Sequence, residues 1–196
     1  MASEVRQRIL DTASRLFYEE GIQNVGVDRI VSESSVAKMS LYKHFRSKDE
    51  LIVEFLRCSH EQWKGWFVEA VENYNRSLNH RILACFHALN EWIHINDFRG
   101  CPFINSVVEL ANAEHPGAAV AYEHRTFIRS YFSEQVSLQA LQVSDELTEQ
   151  LLILMDGAII GAMMGNKEAA KQAGRAAMRL LNPTNPDDRK EWNSIE

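Results

Sequence analysis

Residues 27–50 read VDRIVSESSVAKMSLYKHFRSKDE. Val27, Ile30 and Val31 recur at helical spacing, so a short helix is predicted over 27–34. Ser34-Ser35 then makes a tight turn, and Val36 can plug the angle between helices. A third helix, about Ala37–His44, has one inward apolar residue, Leu41. Its other positions show Lys38, Met39, Ser40, Tyr42, Lys43 and His44, an exterior too polar for a core element. Ser47-Lys48-Asp49-Glu50 has the Ser-x-x-Glu form of a capping box, which starts a new helix at Lys48. Two short helices joined by a tight turn, the second presenting basic and hydrogen-bonding side chains, form a helix-turn-helix. In that geometry the second helix enters the major groove, and flanking Lys residues and backbone amides hold the phosphates.

Upstream, Val5, Ile9, Ala13, Leu16 and Phe17 line one face of a first helix, which Gly21 stops. Charge supports the same reading. Residues 1–57 hold nine Lys/Arg and nine Asp/Glu, so the formal charge of −6 comes from the rest of the chain. Within that neutral segment, 38–48 (KMSLYKHFRSK) carries Lys38, Lys43, Arg46 and Lys48 with no acid. A local positive face on an acidic protein is the footprint of a polyanion partner, although a basic run alone also fits a solvated surface.

Composition closes off other classes. The 196 residues are 45% hydrophobic and 24% charged, ordinary for a globular protein with a sizeable core. Four Pro and nine Gly exclude collagen-like and Pro-rich disordered chains. The apolar stretch Leu151–Gly165 is interrupted by Asp156 and is shorter than the ~20 residues of a membrane span. MASEVRQRIL places charges where a secretory signal needs an apolar run, so a cytoplasmic protein with no membrane partner is expected. Cys58, Cys85 and Cys101 are too few and scattered for a disulfide framework or zinc ribbon.

Residues 6–57, RQRILDTASRLFYEEGIQNVGVDRIVSESSVAKMSLYKHFRSKDELIVEFLR, resemble the DNA-binding domain of TetR-family transcriptional regulators. The opening Ile-Leu-x-x-Ala-x-x-Leu-Phe, Gly21, Val36, Leu41-Tyr42 and His44-Phe45-x-Ser-Lys lie at family spacing. The resemblance covers the first third of the chain, and an FRGCPFIN stretch further on is seen in some members. It implies that Lys38, Met39, Ser40 and Lys43 face base edges, that Tyr42 and His44 meet the sugar-phosphate backbone, and that Lys48 clamps a phosphate. Three positions depart from the family pattern. Gly26 and Ala37 stand where Ser or Thr usually caps a helix, and Ser35 replaces the usual turn Gly, which asks it for positive φ. Packing against neighbouring helices is the competing reading for Tyr42 and Phe45.

Beyond residue 47, starts at Ser47, Ser77, Pro102, Pro116 and Ser144 and a break at Gly165-Asn166 predict six further helices. They cover about 48–73, 78–95, 102–113, 116–139, 145–165 and 167–182, giving an all-α chain of about nine helices. The expected organisation is a helix-turn-helix domain over 1–47, a connector helix from 48, and a helical effector-binding and dimerisation domain over 48–196. The tail after Pro183 is polar, with Trp192 its only anchor candidate.

Gly157, Gly161 and Gly165 recur every four residues, and Gly costs about 1 kcal/mol relative to Ala in a helix. Close approach of another helix supplies a reason. Ala173 and Ala177 thin the last helix in the same way, so these five positions are expected at a homodimer interface, with packing inside one subunit as the alternative. A two-fold dimer would set two recognition helices about 34–36 Å apart on a near-palindromic site. In the middle helices aromatic and polar residues interleave as in a small-molecule pocket. An effector is expected among Trp63, Phe67, Phe86, Asn90, Phe103, Tyr122 and Arg125, against a default in which such aromatics are core.

Two sharper chemistries compete. His80, His87 and His94 repeat every seven residues and Glu91 follows His87 by four, a face that could bind a transition metal with His115 or His124. Cys101, after Arg99 and before Pro102, could be a reactive thiol at a helix start, although Pro102 withholds an N–H there. Neither amounts to a metal or cofactor motif, and no paired nucleophile and base marks an enzyme. The sequence therefore predicts a ligand-responsive, sequence-specific binder of double-stranded DNA, a repressor released by a small molecule. The rivals are an effector-independent structural DNA binder and, further off, an all-helical enzyme or thiol or metal sensor.

Overall fold

The computed structural model of the chain describes residues 2–139 and 144–182. Among them lie nine α-helices and no strand: α1 Ala2–Glu20, α2 Val27–Ser34, α3 Lys38–His44, α4 Lys48–Leu78, α5 Arg81–Ile93, α6 Pro102–Leu110, α7 Pro116–Leu138, α8 Asp145–Met163 and α9 Ala169–Leu181. The all-α architecture with an N-terminal helix-turn-helix is the one expected. The tail after Pro183, Trp192 included, lies outside the described residues.

Most starts follow their caps. Ser47 Oγ accepts the Glu50 N–H at 3.1 Å, while the Glu50 carboxylate accepts from Arg46 N at 2.6 Å, one residue earlier than in the usual reciprocal box. Ser144 Oγ accepts the Leu147 N–H at 3.0 Å, and Pro102 opens α6 in the first turn. Ser77 caps nothing. α4 runs on to Leu78, and Asn79 turns the chain with φ 53°, a left-handed conformation its short amide tolerates. The His80 ring then caps α5 by accepting the Leu83 N–H at 3.3 Å. α6 likewise ends three residues early, where Ala111 turns left-handed at φ 49°.

The three departures from the family pattern have the local consequences expected. Gly26 and Ala37 sit at the N-caps of α2 and α3 with no side-chain cap bond. Ser35 adopts φ 53°, ψ 43°, and its N–H reaches the carbonyls of Ser32 and Val31. A non-Gly residue pays of order 1 kcal/mol for that conformation.

The packing divides into two compact units, and the division does not fall at residue 48. One unit holds residues up to 62 with 101–124, the other 63–100 with the residues from 125 on. The reason is that the first half of α4 is apolar toward the N-terminal helices. Leu51, Ile52, Phe55 and Leu56 are buried, Phe55 meets the Phe17 ring at 5.8 Å, and Glu54 pairs with Arg6 at 2.5 Å. In this unit α1, α2 and α3 pack on one another around Ile9, Leu16, Phe17, Ile30, Leu41 and Phe45. Each such side chain contributes about 1.5–3 kcal/mol on burial.

In the second unit α5, α8 and α9 pack together. α5 is buried from Ile82 to Leu89, and α9 presents Ala169, Ala170, Ala173 and Ala177 as a thin buried face. Small side chains on that face let the helices approach closely.

Candidate nucleic-acid interface

α3 is fixed from beneath and bare above. Leu41 and Phe45 are fully buried, and Phe45 carries the Arg6 guanidinium 4.8 Å from its ring centroid. Core packing therefore accounts for Phe45. The opposite face presents Met39, 84% exposed, Tyr42, 44% exposed, and the exposed ends of Lys38 and Lys43. Ser40 and His44 are half-buried at its edges. The six α3 residues expected to meet DNA thus share one short helix, held in place by its own core residues.

Lys38 is not idle in the free protein. Its Nζ lies 2.6 Å from Asp28 Oδ1 on α2, and that hydrogen bond holds the ammonium above the usual lysine range. Lys43 makes no side-chain hydrogen bond or ion pair among the described residues.

Lys48, expected to clamp a phosphate, donates to the Ile22 carbonyl at 2.6 Å and sits 5.9 Å over the Phe17 ring. Burial pulls its pKa down, against the opposing pull of Asp49 and Glu109. An ammonium has three donors, so a phosphate can share it with Ile22. The α1–α2 turn is gripped from its other side by Glu109 at the end of α6. Glu109 Oε2 accepts the Gln23 N–H and its carbonyl accepts the Gln23 amide, each at 3.0 Å. Gly21, at φ +90°, leaves room there: a Cβ would stand 3.0 Å from that carboxylate. Neither Asp28 nor Glu109 was expected. They lie 10 and 61 residues from the lysines they influence, and no sequence spacing signals either.

The residues expected to form an effector pocket are shared between the two units. Trp63, Phe67 and Phe86 are buried in the second unit; Trp63 stacks on Phe67 at 4.4 Å, and Phe67 meets Tyr131 at 5.6 Å. Asn90 lies in the same unit with its Oδ1 buried and unpartnered. Arg125 is half-exposed and bound to Asp156 at 2.5 Å. Phe103 and Tyr122 belong to the first unit. There Phe103 stacks on His124 at 3.7 Å, while Tyr122 is 54% exposed. Core packing explains the four buried aromatics.

The expected dimer residues also sort. Ala173 and Ala177 are buried within the α5–α8–α9 packing, and a Cβ on Gly161 would meet Ala169 at 3.2 Å. Gly165 turns the chain after α8 at φ +94°. Gly157 alone of the three has open space beside it within the helix. It stands in a stripe with Ile153, Ile160 and Met164 at spacings of four, three and four, all exposed, Ile153 to 64% and Met164 to 83%.

His87 and Glu91 lie in one unit, His115 and His124 in the other, and no group of three or more His, Cys, Asp or Glu among the described residues is placed to hold a metal. Burial pushes His87 down to about 4, with Lys171 adding to it, and His124 to about 3, with His60 adding to it. His124 Nδ1 lies 3.0 Å from His60 Nδ1. Cys101 is buried at the N-cap of α6 and makes no side-chain cap bond.

Comparison with known proteins falls on the same elements. The family model for bacterial regulatory proteins, tetR family, matches residues 9–55. An HTH-type transcriptional regulator of Staphylococcus aureus (strain USA300) is 44% identical over 50 residues, 26% of this chain and 27% of the relative. The match thus spans about a quarter of such curated relatives. A TetR-family transcriptional regulator from Streptomyces coelicolor is 29% identical, covers 92% of this chain and 96% of its own, and superposes with a TM-score of 0.81. A TetR-family regulator from Agrobacterium tumefaciens shares the fold alone, at 13% identity, 92% and 99% coverage and a TM-score of 0.77. The chain is thus similar to TetR-family transcriptional regulators in sequence over residues 9–55, where the tetR family model matches, and in fold over 92% of its length.

Proposed function

We propose that this protein binds a near-palindromic site on double-stranded DNA as a homodimer in the cytoplasm, and that a small molecule releases it, so that it acts as a repressor. The observation that carries DNA binding is α3: a helix anchored by buried Leu41 and Phe45 whose outer face offers Lys38, Met39, Ser40, Tyr42 and Lys43. Bases are read from the major groove by such a helix, while Lys48, Tyr42 and His44 position the phosphates. The reading is of a binding protein and not an enzyme.

The dimer reading is supported by α8. Four exposed positions, Ile153, Gly157, Ile160 and Met164, form an apolar stripe whose centre is a glycine, which admits a second helix at short range. Ala173, Ala177, Gly161 and Gly165 then shape the protomer and only indirectly the contact. Ligand release requires an effector that prefers the DNA-incompetent dimer, by roughly 2.7 kcal/mol for a 100-fold loss of affinity. α4 is the connecting element, since its N-terminus bears Lys48 and its later turns bear Trp63 and Phe67.

One observation favours the effector-independent alternative: Trp63, Phe67, Phe86 and Phe103 are packed as core. For these residues to receive an effector, the core must open. Selection of binding sequences from random duplexes, at two salt concentrations, tests the main reading. A near-palindromic motif with a steep salt slope is expected; salt-sensitive binding with no motif would leave a structural DNA binder.

A further inference from the structure

The leading end of α3 carries a bare apolar group. Met39, the second residue of the helix, is 84% exposed, the highest value for a large apolar side chain among the described residues. We infer that Met39 reads the C5-methyl group of a pyrimidine, a thymine in ordinary DNA, once in each half-site.

Position is the first argument. Leu41 is fully buried, and two residues turn a helix by about 200°. Anchoring Leu41 in the core therefore swings Met39 to the opposite side. A recognition helix meets base edges with its N-terminal residues, and Met39 stands there. The end around it is also narrow. Ala37, at the N-cap, is exposed and brings only a methyl, while Lys38 is drawn back to Asp28 on α2 at 2.6 Å. Neither side chain holds the thioether away from the floor of a groove.

Chemistry is the second. Met has no donor and its sulfur is at most a weak acceptor, so it cannot read the hydrogen-bonding pattern that distinguishes base pairs. The apolar feature the major groove displays is the thymine methyl. An unbranched, polarisable thioether adapts its shape to such a group. Nearly all of the Met39 surface faces water in the free protein, so closing on a methyl removes apolar area from both partners.

Its neighbours have other work. Tyr42 and Lys43, three and four residues on, share the face with Met39. Both carry donors, as do Lys38 and Ser40, and suit the oxygen and nitrogen atoms of bases and backbone. Met39 is the one member of that face with no donor, which makes its contribution separable from theirs.

This assignment rests on the DNA-binding reading above, and the two fail differently. With the full chain, each thymine of the selected duplex is replaced in turn by deoxyuridine, which removes the methyl and keeps every hydrogen-bonding atom. Anisotropy then reads affinity. One thymine in each half-site should be sensitive, at about fourfold when one methyl is lost and more than tenfold when both are. With cytosine placed there opposite guanine, 5-methylcytosine should bind better than cytosine by a similar factor, which separates the methyl from the thymine O4. Met39→Ala should bind thymine and uracil duplexes alike, whereas Met39→Leu and Lys43→Ala should keep the difference. Circular dichroism checks that each variant is folded. A selected motif with no methyl-sensitive thymine, or an undiminished uracil penalty in folded Met39→Ala, would overturn the inference and leave DNA reading intact. Failure to select any motif would remove both.

Discussion

Lys38 on the recognition helix holds its ammonium 2.6 Å from the Asp28 carboxylate on α2. The pair ties together the two helices of the helix-turn-helix, and it places a negative charge beside a face meant for DNA. Before Lys38 can meet a base edge or a phosphate it must leave or share that carboxylate. Asp28→Asn should therefore raise affinity for random duplex DNA several-fold and narrow the ratio of specific to non-specific binding. The pair is exposed, so the thermal midpoint should hardly move. Competition anisotropy with specific and random duplexes reads both quantities; an unchanged ratio would mean that Asp28 does not govern Lys38 on DNA.

Lys48 joins the α1–α2 turn, through the Ile22 carbonyl, to the start of α4. If it also holds a phosphate, Lys48→Ala should weaken binding to every duplex alike and reduce the slope of log K against log salt by about one. A structural role alone would lower affinity with the slope intact. Lys43→Ala should instead change which sequences are preferred.

These residues mark what was legible in the sequence. The helix-turn-helix was readable because its signals are local: period-3.6 apolar positions, Gly21, the Ser47 cap and an acid-free basic run. Even the cost of departures was readable, since Ser35 does take positive φ and Ala37 leaves α3 uncapped. The partners of the lysines were not, because Asp28 and Glu109 reach them through tertiary folding. Whether aromatic residues line a pocket was not legible for a related reason. Aromatic residues at helical spacing look the same whether they line a cavity or fill a core, and Trp63 and Phe67 fill one. Among the small residues, only placement separates Gly157, open on its outer side, from Ala173 and Ala177, already covered by the chain itself.

The exposed α8 stripe predicts a separable dimerisation defect. Ile153→Glu with Ile160→Glu places two charges where a second α8 would pack, at sites exposed in the protomer. Sedimentation should show a monomer of unchanged helical content, with specific DNA affinity down by at least 100-fold. A variant that remains dimeric would move the interface elsewhere.

His124 makes the first unit sensitive to acid. Its folded pKa is about 3, below the ordinary 6.5, because burial and His60 disfavour the charged ring. The unfolded chain thus binds more protons between those values, and stability rises with pH across that window. The contribution is complete above pH 6.5 and is lost as pH falls from 6.5 towards 3, by about 1 kcal/mol per unit. Urea unfolding at pH 7, 6 and 5 should show the decline, and His124→Asn should flatten it. His87, pushed down to about 4, adds a decline of the same sign in the other unit.

In the proposed complex two copies of α3 read one DNA site in fixed register. Inserting five base pairs between the half-sites of the selected duplex, about half a helical turn, and comparing affinities measures that register. At least a 100-fold loss is expected, because the two recognition helices then face opposite sides of the duplex. Affinity that survives the insertion would mean that the protein holds DNA without a dimer's register.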